Sequence, residues 1–269
     1  METKREPAYA GQFYPADPET LRRTIQSFCR EEGSHLEAKA VVVPHAGYVY
    51  SGSVTGKVLS AVRLPQRIIL LGPNHTGWGE ALSLAPENSW KTPIGTVPID
   101  SEMNRKLLEL CPELREDSDA HLKEHSLEVQ LPFLQMLQPD CRFSAICIGT
   151  AEYTILESLG HAMAEAVRSL SEPVLLLSSS DMTHYESADS AARKDKLAID
   201  CILRIDPRGL YDTIIENNIS MCGFGPTVSI LTSCLDLGSA EGHLIDYTNS
   251  GGASGDFGSV VAYAGIIIS

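Results

Sequence analysis

Arg67-Ile68-Ile69-Leu70-Leu71-Gly72-Pro73-Asn74-His75 decides how the rest of the chain is read. Four large apolar residues in a row, with no polar alternation, suit a strand buried on both faces and are too few for a helix. Gly72-Pro73 then stops the strand, and a histidine stands on the loop that leaves it. The same order of events occurs twice more. Lys39-Ala40-Val41-Val42-Val43-Pro44 runs into His45, and Pro173-Val174-Leu175-Leu176-Leu177-Ser178 runs into Asp181 and His184.

Helical patterns separate these runs. Asp17 is a candidate N-cap with Pro18 at the first helical position, and Leu21, Ile25, Phe28 and Cys29 follow on one face. Further helices are predicted over Ser53 to Val62, Ser101 to Leu110, from about Glu124 with a break near Pro132, Tyr153 to Leu170, Ala188 to Arg204, Pro207 to Asn217 and Pro226 to Leu237. Arg142 to Ile148 and Gly258 to Ile268 complete the predicted strands. Strands alternating with helices predict a three-layer α/β fold: a central, mostly parallel or mixed sheet flanked by helices, with residues 1–269 forming one domain.

Composition narrows the function. A formal net charge of −14 argues against nucleic acid as a partner. No apolar run nears the length of roughly 18 residues that spans a bilayer. The charged start Met1-Glu2-Thr3-Lys4-Arg5 is unlike a secretion signal, so no membrane role and a cytoplasmic location are expected. The 7 cysteines are odd in number and form no Cys-x-x-Cys pair, which reads as mostly core thiols in a reducing compartment.

In open α/β sheets, ligands bind beyond the carboxyl ends of the strands, where loops from neighbouring strands converge. His45, His75 and His184 each occupy such a loop, and histidine is both the commonest metal ligand and the usual base near neutral pH. A shared site is therefore expected. For any one of them alone, a hydrogen-bonded structural histidine is the commoner outcome. Cys222, in Met221-Cys222-Gly223-Phe224-Gly225-Pro226, reads first as a small buried hydrophobe. The glycines around it suggest a tight loop before a helix whose N-terminus would stabilise a thiolate.

Five motifs in order resemble the Memo family: Pro44-His45-Ala46-Gly47-Tyr48 with Ser51-Gly52, Gly72-Pro73-Asn74-His75, Glu124-His125-Ser126-Leu127-Glu128, Ser180-Asp181 with His184, and Cys222-Gly223. Ala10-Gly11-Gln12-Phe13-Tyr14 fits the family's amino-terminal pattern, so the resemblance runs along essentially the whole chain. Prokaryotic members are also called AmmeMemoRadiSam system protein B, and the family is similar in fold to LigB-type class III extradiol dioxygenases. The resemblance implies a metal held by His45, His75 and Cys222, with Asp181 and His184 as catalytic accessories. Fe(II) is the first expectation for such a donor set, with Cu or Zn as alternatives, and Mg or Ca is excluded. Where the dioxygenases place a carboxylate, this chain would place the softer thiol of Cys222, which weighs against aromatic ring cleavage.

The implied function is a non-haem metal-dependent oxidoreductase acting on an unknown small molecule. The same cleft could instead serve a non-catalytic module that grips a peptide or protein, or a zinc hydrolase. A rival motif, His121-Leu122-Lys123-Glu124-His125, matches the H-x-x-E-H signature of inverted zincins. No third ligand lies in register with it, so His121 is expected to be solvated, with His125 and Glu128 bordering the pocket or satisfying local hydrogen bonds.

Overall fold

The computed structural model describes residues 3–29 and 35–269. Its centre is a nine-stranded mixed sheet. Four parallel strands lie side by side in the order Ala40–Val43, Val174–Ser179, Arg67–Pro73 and Arg142–Ile148. Antiparallel additions close both flanks. Leu82–Leu84 runs against Arg142–Ile148, and Val260–Ile268 runs against Ala40–Val43 and carries Gly242–Asn249 and His184–Glu186 beyond it.

Alternation along the strands builds the three layers, because successive side chains point to opposite faces. Val42, Ile69, Leu71, Ile146 and Leu176 meet the helices Ser101–Leu110, Tyr153–Arg168, Ala188–Leu203, Pro207–Glu216 and Phe224–Asp236 on one face. Val41, Ile68, Leu70, Phe143 and Leu177 meet Pro18–Phe28, Tyr48–Leu59 and Leu131–Leu137 on the other. This is the expected mixed sheet with helices on both faces.

Two helical expectations are corrected. The helix placed at Ser53 begins at Tyr48, since the Tyr48 ring packs against Tyr14 and Phe133 and tertiary burial outweighs the weak helix preference of Tyr48-Val49-Tyr50. Pro132 does not interrupt a helix but starts one. It lies in the first turn of Leu131–Leu137, where its missing N–H leaves no bond unmade. A small second sheet, Lys4–Arg5 with the hairpin Ser89–Thr92 and Gly95–Pro98, had no clear signal in the sequence. Among the described residues no helix is long and apolar enough to cross a membrane.

Candidate metal centre

The parallel strands end together, with Val43 level with Ser179 and Leu71 level with Ser178, so their exit loops share one end of the sheet. A cleft of about 610 Å³ opens there, lined by His45, His75, His125, Asp181 and His184 among others. His45, His75 and His125 offer ligand atoms that all lie within 4.8 Å of one another. His125 comes from the turn after the short helix Asp119–Leu122, not from a strand end.

Hydrogen bonds fix the tautomers. Ser179 Oγ donates to Ser126 O at 2.6 Å, so at its 3.0 Å contact with His45 Nδ1 the imidazole must be the donor. That leaves Nε2 of His45 bare. His75 Nδ1 lies 2.9 Å from the Glu124 carboxylate and donates to it, which makes Nε2 the ring's ligand atom. Glu124 also accepts from the backbone N–H groups of His75, His125 and Ser126. It lies 3.3 Å from His125 Nδ1 as well. One buried carboxylate thus orients the His75 ring and pins the backbone that carries His125. Burial tends to raise the Glu124 pKa, but the bond from His75 and the nearby imidazoles hold it down at about 2.

The His45 and His125 rings are kept neutral, as ligation requires. Burial lowers His45 to about 3, helped by the neighbouring His75, and lowers His125 to about 4, helped by His45. Phe13 lies over His125 with ring centroids 4.5 Å apart, and Tyr9 meets the same ring at 5.4 Å. Both arrive on an amino-terminal strap clamped by Glu128, which accepts from Arg5 Nη1, Ala8 N, Tyr9 N and the Tyr14 hydroxyl at 2.7–2.9 Å.

Cys222 reaches this centre through His45: its Sγ lies 3.2 Å from the bare Nε2. Burial, then the charge of Asp181, pushes the thiol pKa well up, so without a metal the S–H is intact and donates to His45. Gly223 explains the close approach. A Cβ there would stand 2.4 Å from Ser180 Cβ and 2.5 Å from Ser179 O. Asp181 accepts the His45 N–H at 2.8 Å, steadying the loop that carries that ring, and burial raises its own pKa. His184 donates from Nδ1 to Ser220 O at 2.9 Å, which turns a bare Nε2 to its other side. Tyr185 follows in the left-handed region, at φ 60°. That conformation costs about 1–2 kcal/mol for a residue with a Cβ.

Thus the structure brings His45, His75, Asp181 and His184 to one cleft, puts Cys222 against His45, and adds His125. The H-x-x-E-H pair does not share a site. His121 is fully buried rather than solvated. Its Nε2 sits 3.1 Å from Ser83 O and its ring packs on Trp90. The signal for His125 was its neighbour: Glu124 sits close to two histidines in sequence, and the buried carboxylate binds the one that faces the cleft.

A model of the Memo-like protein family matches residues 5–267. The chain belongs to the Memo family. Curated relatives agree. A MEMO1 family protein of Aquifex aeolicus is 41% identical over 98% of both chains. MEMO1 family protein MK0963 of Methanopyrus kandleri is 40% identical, again over 98% of each. Among solved structures, the uncharacterized protein JW3007 of Escherichia coli superposes with a TM-score of 0.58 at 14% identity, covering 86% of this chain and all of that one, a likeness of fold. As a Memo family member, this chain carries its histidine cluster on motifs spread from Pro44 to Ser126.

Proposed function

We propose that this Memo family protein is a non-haem metal-dependent oxidoreductase acting on a small molecule, with Fe(II) as the resident ion and Cu or Zn as alternatives. The observation that carries the reading is the set of three imidazoles with ligand atoms within 4.8 Å of one another, two with tautomers fixed by hydrogen bonds, at the floor of a cleft. The donor set fits such an ion. Neutral imidazoles and a thiol suit late transition metals, and no group there is a hard oxygen cage for Mg or Ca. His45 and His75 would hold the ion, with His125 on the third side and Cys222 joining as a thiolate once the ion displaces its proton to solvent, which leaves His45 Nε2 free to ligate.

Iron or copper bound there would supply one-electron chemistry and a site for O₂ or a substrate oxygen; zinc would supply Lewis acidity alone. The chain's own part is positional and protic. Glu124 holds the His75 ring and the His125 backbone, Asp181 holds the His45 backbone, and Phe13 covers His125. His184 Nε2 is the free base that accepts a proton from a ligand in the cleft.

Metal analysis of protein purified without oxygen tests the assignment. About one iron or copper per chain is expected, dropping strongly in His45→Ala and His75→Ala but not in His121→Ala. His184→Ala keeps the metal and loses turnover. Full metal content in His45→Ala with loss in His121→Ala would overturn the site. Absence of metal under every condition would move the reading to a peptide-binding module in the same cleft.

A further inference from the structure

The wall of the cleft away from the histidine cluster has a chemistry of its own. Tyr50 and Tyr185, both exposed, supply aromatic surface there. Asp256 is the carboxylate on this side. Its Oδ1 accepts from Gly258 N at 2.8 Å and its own N–H donates to Ser254 Oγ at 3.1 Å, so the turn that carries it is tied down and Oδ2 is left for a ligand. Among the described residues no lysine or arginine lines the cleft. A ligand whose far end is a carboxylate or phosphate would find no counter-charge, and the −14 net charge of the chain adds to its repulsion.

We propose that the cleft selects aromatic ligands whose distal end is cationic: a phenol-like ring against Tyr50 and Tyr185, and an ammonium group received by Asp256. This deepens the metal-site reading, on which it rests for the reaction, by naming the substrate class; its geometry concerns the wall and not the ion. A cation facing Asp256 gains Coulomb energy at intermediate dielectric, and stacking against tyrosine adds cation–π attraction. An anion of the same shape loses both. Discrimination of about tenfold or more is expected from one such contact at a solvent-facing carboxylate.

Tyramine, tyrosol and 4-hydroxyphenylacetate share one ring and one chain length and differ in charge. Their dissociation constants, measured by calorimetry on the metal-free protein and again with zinc bound, provide the test. The expected order is tyramine tightest and 4-hydroxyphenylacetate weakest, by about tenfold or more in the metal-free protein. Asp256→Asn should bring the two within about threefold. Asp140→Asn, the same charge change on an exposed residue at the opposite ends of the strands, should leave the order intact. Equal or tighter binding of the anion overturns the proposal. So does a preference unchanged in Asp256→Asn, or the failure of all three ligands to bind at millimolar concentration. Zinc stoichiometry is read in the same titrations. Its absence, with the ligand order preserved, would count against the metal centre and leave the wall assignment standing.

Discussion

At the scale of single residues, the site rests on which nitrogen each histidine leaves bare. Strand-end position made His45, His75 and His184 legible, because loops leaving buried parallel strands must converge. His125 was less so: it sits in a turn between a four-residue helix and a 3₁₀ turn, and only its contact with Glu124 gives it a role. Glu124 read as part of two overlapping motifs, and neither showed that its carboxylate reaches back to the His75 ring, because that bond joins segments 49 residues apart. The carboxylate is the test of the arrangement. Glu124→Gln keeps the shape but replaces a charge-assisted bond to His75 with a neutral one. Metal affinity, measured by competition with a chelator, should fall by about 10–100-fold, the usual cost of losing an orienting carboxylate. Unchanged affinity would mean that the rings need no such support. Cys222→Ser discriminates further: if the thiolate is a ligand, Co(II)-loaded wild type shows a sulfur-to-metal charge-transfer band that the variant lacks.

At the scale of elements, most helices and buried strands were readable because each satisfies its own rule. Asp17 caps Pro18–Phe28 by accepting from Thr20 N, and Arg142–Ile148 is a strand on apolar content alone. The outer strand Gly242–Asn249 was not, since its half-exposed residues carry no strong pattern and its pairing with Val260–Ile268 is a tertiary event. How elements approach one another was also hidden, and Gly223 is the case with consequences. It lets the start of the Phe224–Asp236 helix touch the loop after Val174–Ser179, which is what puts Cys222 beside His45. Gly223→Ala forces contacts of 2.4–2.6 Å against Ser179 and Ser180. The change should cost about 1–3 kcal/mol in urea unfolding. Because the helix start must retreat, the charge-transfer band from Cys222 should weaken as well. Gly252→Ala meets nothing within 4 Å. It should stay within about 0.5 kcal/mol of wild type. Equal stability of the two variants would remove the close approach as the reason for the glycine.

At the scale of the whole molecule, the site places an electrostatic load on folding that pH should expose. His45, His121 and His125 are buried in the native state with pKa values pushed to about 3, 4 and 4, against an ordinary value of 6.5. As pH falls below about 6.5, the unfolded chain binds protons at these three positions while the native chain does not. Stability that is fully present above pH 6.5 is therefore lost progressively down toward pH 4, at up to about 1.4 kcal/mol per pH unit for each histidine. Glu124, held at about 2, adds a loss of the same sign below its ordinary value of 4.5. Buried Asp181 and Asp195, with raised pKa values, act in the opposite sense, because the native state takes up their protons first. The histidines outnumber them in the window above pH 5, so the urea midpoint of the metal-free protein should fall between pH 7 and pH 5. His121 isolates the effect, being buried outside the cluster of His45, His75 and His125. His121→Gln retains a donor for Ser83 O but cannot titrate. It should lower stability at pH 7, where the packing of the ring on Trp90 is lost, yet make the slope between pH 6.5 and 5 shallower by about one histidine's share. A slope identical to wild type would show that His121 takes up its proton without unfolding, and that the native interior accommodates a charge there.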